Sequence, residues 1–223
     1  MSPSDVSVVI PARNEASAIA SAIRSASDAG AKEIIVADGD SADATIEVAR
    51  QAGASLIVSC PPGRGIQLRH GANAAIGRIV LFLHADNRLG GDCLNQICTH
   101  PNATWGAFRQ HIDSSAGVYR LLEMGNAARV RFRRLPFGDQ AIFVDRAVLA
   151  EQGGIAEIPL MEDVDLACRL RRLCRPLLLD GPVIVDPRRW QTRGIVRQTL
   201  RNWTIQLAYA AGVSPIRLHK WYR

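Results

Sequence analysis

Short apolar runs rich in β-branched residues recur through the first 83 positions: Val6 to Ile10, Ile34 to Ala37, Leu56 to Ser59 and Ile79 to Leu83. Each of the first three is followed by a segment of helical period. Residues 16–29 are alanine-rich with Ile19 and Ile23 on one face, residues 42–51 follow a turn in which Asp40 or Ser41 can serve as helix cap, and residues 66–76 repeat the pattern. Strands alternating with helices predict a mostly parallel, Rossmann-like central sheet with helices on both faces. The fold class read from the sequence is therefore α/β.

After about residue 100 the alternation loosens. Residues 106–110, 141–144 and 183–185 read as strands and 162–173 as a helix, while 194–209 and a restart at Val213-Ser-Pro215 predict a helical tail. A chain of 223 residues is long enough for one well-cored unit and too short for two ordinary independent domains. The expected organisation is a single domain over 1–223, with a nucleotide-binding half (1–100), an acceptor-binding half (101–190) and a basic helical tail (191–223).

The formal net charge of +6 is unevenly placed. From Pro187 onward there is no Asp or Glu, while Arg188, Arg189, Arg193, Arg197, Arg201, Arg217, Lys220 and Arg223 fall there. Such a tail favours an anionic partner. The 5 cysteines form no C-x-x-C pair, which argues against a zinc site or a disulfide framework and suits a reducing cytoplasm. The N-terminus has no basic region ahead of its apolar stretch, so no signal peptide is expected, and no apolar run reaches membrane-spanning length.

Ligands of parallel sheets bind beyond the carboxyl ends of the strands. Those ends carry Arg13, Asn14 and Glu15, then Asp38 and Asp40, then His84 and Asp86, so this edge is the expected site. The first strand leads into Pro11-Ala-Arg-Asn-Glu15 and not into G-x-G-x-x-G, which removes the main support for a dehydrogenase. Gly63-Arg-Gly65 precedes a helix but lacks the third glycine and the Lys-Ser/Thr of a phosphate loop.

Four segments in order resemble the family 2 inverting glycosyltransferases of the GT-A fold. Val6 to Glu15 is similar to their opening strand and base-binding loop, and Val36-Ala-Asp-Gly-Asp-Ser-Ala-Asp-Ala-Thr45 to their V-D-D-G-S-x-D-x-T segment. Leu81 to Asp86 resembles the strand carrying D-x-D, and Met161-Glu-Asp-Val-Asp-Leu166 the helix start that supplies the general base. There are two departures: His84 stands where the first Asp of D-x-D is found, and Gly39 precedes Asp40 in the D-D-G-S turn. A subgroup associated with arsenosugar biosynthesis is similar in its H-A-D, in Pro136-Phe-Gly-Asp-Gln140 and in Arg188-Arg-Trp190.

The resemblance implies a metal-dependent inverting transfer of a sugar, a hexosyl group, from a nucleotide-sugar donor. It assigns Asp163 as base with Glu162 orienting the acceptor or its loop. It assigns Asp86 to a divalent cation, Mn2+ or Mg2+, and donor contacts to Pro11, Ala12, Arg13, Glu15, Asp38, Arg64, Arg69, Ala85, Arg189 and Trp190. His84 reads as a site-lining or packed histidine and not as a metal ligand.

The chemistry of those residue types agrees. A departing nucleoside diphosphate needs its charge neutralised, which a hard cation held by carboxylate and phosphate oxygens supplies. An inverting displacement needs one carboxylate to take the acceptor's proton. A nucleotidyltransferase would want a Gly-rich basic opening loop and paired metal carboxylates, and Pro11 to Glu15 provides neither. A non-catalytic nucleotide or nucleic-acid module would draw on the basic tail with Trp190, Trp203, Trp221 and Tyr222. The expected partners are the donor and a small-molecule or lipid-linked acceptor, without nucleic acid, in a cytoplasmic protein that is peripheral to an anionic membrane face.

Overall fold

The computed structural model describes residues 1–222, with the side chains of Arg189 and Tyr222 left outside the description. The first half runs β1 (Val6–Ala12), α1 (Ile19–Asp28), β2 (Glu33–Asp38), α2 (Thr45–Gln51), β3 (Leu56–Ser59), α3 (Arg64–Ala74) and β4 (Ile79–Phe82). Then follow β5 (Asn87–Leu89), α4 (Cys93–Cys98), β6 (Trp105–Ile112), α5 (Gly117–Arg133), β7 (Phe143–Asp145), α6 (Arg146–Glu151), α7 (Glu162–Leu170) and β8 (Leu177–Val185). The tail is α8 (Arg188–Arg193), α9 (Ile195–Ala210) and α10 (Pro215–Tyr222).

The strands form one sheet in the order β3-β2-β1-β4-β7-β6-β8-β5. β3, β2, β1 and β4 are mutually parallel, and so are β6 and β8; β7 runs antiparallel to β4 and β6, and β5 antiparallel to β8. The mostly parallel sheet read from the sequence is therefore present. Ala12 pairs with Asp38 in the β1–β2 register, so the carboxyl ends of these two strands lie side by side.

Alternate residues of each central strand enter opposite cores, which is why the strands read as unbroken apolar runs. Val8 and Ile10 of β1 and Leu81 of β4 join Ile19, Ile23 and Ala26 of α1, with Leu94 and Ile97 of α4. Val9, Ile35, Val80 and Phe82 pack on the other face against Leu68 of α3, Leu149 of α6, and Leu166 and Leu170 of α7. Burying one such side chain fully is worth about 1.5–3 kcal/mol. Gly71 permits the close approach of α3 to the sheet, since a Cβ there would lie 2.4 Å from Val9 Cγ1. A third, smaller core of Met161, Val164, Ile205 and Leu218 joins the tail to α7.

Three sequence expectations are corrected. α2 begins at Thr45 and not at 42, and neither Asp40 nor Ser41 caps it; Asp43 Oδ1 accepts from the Thr45 amide at 3.0 Å. β8 spans nine residues where only 183–185 were expected, because the chain passes Asp180-Gly-Pro182 through a register shift against β6 between Phe108 and Gln110. A bulge of this kind accommodates a proline that an unbroken ladder would not. The helix α5 has no counterpart in the sequence reading: only Tyr119 and Val130 along it are buried, so it shows little apolar period.

Candidate active site

The β1–α1 and β2–α2 loops are tied together at the carboxyl edge of the sheet. The Asn14 amide donates to Ser41 Oγ at 3.0 Å, Asn14 Oδ1 accepts from the Ala42 amide at 2.8 Å, and the Glu15 amide donates to Thr45 Oγ1 at 2.8 Å. Asn14 and Asp40 both take left-handed backbone, with φ of 55° and 62°, a conformation that Asn and Asp tolerate. Gln67, reaching from α3, donates to the carbonyls of Ala12 at 2.7 Å and Ala37 at 3.0 Å. A Cβ at Gly39 would lie 2.8 Å from the Gln67 amide carbon, which explains the glycine between Asp38 and Asp40.

Asp38 ends β2 and is 2% exposed. Its Oδ2 accepts from the Ser41 amide at 3.1 Å, while its Oδ1 is buried without a hydrogen-bond partner. A buried acceptor left unpaired is costly, and an incoming N–H or O–H would satisfy it. Pro11, Ala12 and Ala85 are buried along the same edge, whereas Arg13 is exposed.

Asp86 and Asp163, from opposite halves of the chain, line one cleft with Arg64, His84, Asp139 and Trp190. The cleft encloses about 940 Å³, part of it open to solvent. Trp190 meets Tyr119 edge-on, with ring centroids 6.0 Å apart.

Asp163 stands in the first turn of α7, which Met161 opens in the left-handed region at φ 69°. Its Oδ2 accepts from the Gly138 amide at 2.6 Å and its Oδ1 from the Val164 amide at 2.8 Å. A Cβ at Gly138 would come within 2.8 Å of His84 Nε2 and 3.1 Å of Asp163 Oδ2, so this glycine sits between the two side chains.

Glu162 points away from that opening. It is 1% exposed, pairs through Oε1 with Arg64 Nε, and has Oε2 buried without a partner. Burial pushes its carboxyl pKa up, more strongly than the Arg64 charge pulls it down. Arg64 Nη2 also lies 4.0 Å from Asp163 Oδ1, so one guanidinium serves both acids.

Arg69 is not brought to the cleft. Its guanidinium donates to the carbonyls of Ile155 at 3.0 Å and Gly153 at 3.4 Å and lies 3.4 Å from Glu157. The side chain of Arg189 lies outside the described residues.

Three residues that the sequence reading did not assign belong to this arrangement. Arg188 Nη2 donates to Asp86 Oδ2 at 3.0 Å and to Glu15 Oε2 at 3.1 Å. Burial opposes its charge, but the hydrogen bonds and charges of Glu15 and Asp86 outweigh burial and raise its pKa. Asp139 presents a carboxylate to the cleft, with Oδ1 buried and unpartnered. Arg129 fixes the loop that carries it: its guanidinium lies 3.5 Å from the Phe137 ring centroid and donates to Leu135 O at 3.0 Å and Gln140 Oε1 at 2.8 Å. Burial lowers the Arg129 pKa to about 10. Asp139 lies within Pro136 to Gln140 and Arg188 within Arg188-Arg-Trp190, the two segments that carry the subgroup resemblance; no sequence signal marks Arg129.

Among the described residues no three His, Cys, Asp or Glu side chains cluster so as to hold a metal ion by themselves. Asp86, 10% exposed in its side chain and paired with Arg188, is the carboxylate of this cleft edge that would hold a hard cation together with donor phosphate oxygens.

Residues 7–145 match the sequence profile of Glycosyl transferase family 2. The Glycosyltransferase AglJ of Haloferax volcanii is 36% identical over 85 residues, which is 38% of this chain and 28% of that protein. The S. aureus TarS 1-349 structure in complex with UDP-GlcNAc superposes with a TM-score of 0.68 at 16% identity, over 83% of this chain and 58% of that one. Glucosyl-3-phosphoglycerate synthase from Mycobacterium tuberculosis, in complex with Mg2+ and uridine-diphosphate, gives 0.58 at 22% identity over 81% and 69%. These likenesses establish the GT-A fold, and this chain spans well under two thirds of the AglJ and TarS chains. Because the profile covers more than half of the sequence, the chain belongs to glycosyl transferase family 2.

Proposed function

We propose that this protein transfers a sugar, a hexosyl group, from a nucleotide-sugar donor to an acceptor hydroxyl with inversion at C1. The observation that carries the reading is the placement of Asp86 and Asp163 on one cleft, with the unpaired Asp38 acceptor on the same sheet edge at the end of β2, two strands from β4. Residues 1–100 form the donor half, 101–190 the acceptor half and 191–223 the tail.

Asp38 accepts a hydrogen bond from the base or ribose, and Arg13, Arg64 and Trp190 are donor contacts on the same edge, with Arg189 beside Trp190 in sequence. Asp163 takes the proton of the acceptor hydroxyl, whose oxygen attacks C1 from the face opposite the diphosphate. The C1–O bond to the diphosphate breaks, and its electron pair leaves with the diphosphate. A divalent cation, Mn2+ or Mg2+, bound through Asp86 would neutralise that leaving group. The Gly138 amide and Arg64 hold the Asp163 carboxylate in place, and Glu162 holds Arg64. General-base catalysis of this kind contributes about 10²- to 10⁴-fold.

The TarS and synthase structures were obtained with UDP-GlcNAc and with UDP and Mg2+ respectively, which supports a nucleotide donor and a cation here. The motifs shared with the arsenosugar-associated subgroup support placing the chain there. The acceptor is a small molecule or a lipid-linked group, and the protein works in the cytoplasm.

Thermal stabilisation by UDP-, GDP- and dTDP-sugars, with and without manganese, tests the donor assignment. A bound donor at 100 times its Kd adds about 2.7 kcal/mol. Stabilisation by one nucleotide class that grows with manganese is expected; no shift with any of the three contradicts the reading.

A further inference from the structure

Exposed large apolar side chains concentrate on three helices of the described chain. On α9, Val196, Leu200, Trp203 and Leu207 are all exposed, and their spacing of four, three and four residues sets them along one stripe. The opposite face of the same helix is occupied: Ile205 joins the tail core, and Gln198, Asn202 and Gln206 line the cleft. α5 repeats the arrangement with Leu121, Met124 and Phe132, the last 78% exposed, and α10 adds Ile216 and Trp221.

Exposed cations border these stripes: Arg131 and Arg133 on α5, Arg193 and Arg197 at the α8–α9 junction, and Arg217 and Lys220 on α10. No acidic residue lies beyond Asp186. The one acid of α5, Glu123, is turned inward, 3.0 Å from Arg120 and accepting from the Ile112 amide. An apolar stripe with Trp and Leu, edged by Arg and Lys and free of acid, is the pattern of a helix lying in a lipid interface. No helix among the described residues is long and apolar enough to cross a membrane, so the contact would be in the plane of the interface.

We propose that α9 and α10, which pack on one another through Ile205 and Leu218, dock by their outer faces on an anionic bilayer. A helix is about 10–12 Å across, so a bilayer against the outer stripe of α9 lies one helix from the cleft that its inner face lines. The acceptor class that fits is a hydroxyl carried on a membrane-anchored amphiphile. That last step rests on the transferase reading; the bilayer contact does not.

The full chain is mixed with phosphatidylcholine vesicles with and without phosphatidylglycerol, and binding is read by sedimentation and by quenching of tryptophan emission with brominated lipid. The wild type should bind the anionic vesicles and be quenched there, with little binding to neutral ones. Trp203→Ser with Leu207→Ser should weaken binding at least about tenfold, and Arg197→Gln with Arg217→Gln about fivefold for each cation. All four side chains are exposed, so both double variants should melt with the wild type.

Equal binding to both vesicle types, binding without tryptophan quenching, or an apolar variant that binds like wild type overturns the proposal. So does a wild-type dimer, seen in sedimentation velocity, that the apolar variant dissolves while no vesicle binds. Donor-induced thermal shifts on the same samples report the transferase reading separately.

Discussion

Arg188 Nη2 lies 3.0 Å from Asp86 Oδ2, so the carboxylate assigned to the cation already carries a guanidinium. The same nitrogen reaches Glu15 Oε2 at 3.1 Å, which ties the tail to the first loop of the sheet. A divalent cation must therefore displace or share this contact. Arg188→Gln should tighten Mn2+ binding in the presence of nucleotide by up to about tenfold, the worth of a partly exposed charge-assisted hydrogen bond. Asp86→Ala should abolish the increase in nucleotide affinity that Mn2+ gives. Titration calorimetry of both variants checks this, and an Asp86→Ala protein with full manganese dependence contradicts the assignment.

Gly138 separates His84 from Asp163 with no room for a methyl group. Gly138→Ala should shift one of those side chains, with about 1–3 kcal/mol of destabilisation and a turnover lower by tenfold or more. Gly125→Ala is the control: it lies inside α5, nothing stands within 4 Å of its added Cβ, and the helix should gain about 0.5–1 kcal/mol. Melting temperature and turnover of the pair distinguish local displacement from general damage.

Glu162 supplies a pH test. Its folded pKa is raised by burial above the ordinary value of 4.5, so the folded chain binds this proton more tightly than the unfolded one. The stability contributed is fully present below that ordinary value and is lost as pH rises through the raised one. Wild type should thus lose stability relative to Glu162→Gln as pH climbs from below 4.5, and a gap that does not change with pH contradicts it.

The first half of the fold was legible because β1, β2 and β4 are buried on both faces, and runs such as Ile79 to Leu83, too short for a helix and set between helical segments, read as covered parallel strands. The second half was harder to read for physical reasons. α5 keeps Leu121, Met124 and Phe132 out of the protein core, and β8 passes through a bulge at Gly181-Pro182. At the site, the carboxyl ends of the parallel strands could be named in advance as the ligand edge, whereas the roles given to Glu162 and Asp163 came from the family resemblance. Arg129, Asp139 and Arg188 could not be named in advance: Arg188 acts through Glu15 and Asp86, far away in sequence, Asp139 joins His84 in lining the cleft only in the fold, and Arg129 holds the 135–140 loop, which only the fold brings to Asp163. Arg69 shows the converse, a well-placed arginine in the sequence whose guanidinium the fold commits to the 153–157 loop.

The most direct test is Asp163→Asn, with donor Kd, melting temperature and release of nucleoside diphosphate measured on one preparation. Asparagine keeps the size of the side chain and one oxygen, so one of the two amide hydrogen bonds from Gly138 and Val164 survives. The loss of the other costs about 1 kcal/mol. What disappears is the proton acceptor. The account predicts turnover lower by about 10²- to 10⁴-fold, a donor Kd close to wild type and a small drop in melting temperature; turnover that stays at the wild-type rate in a folded Asn variant would contradict it.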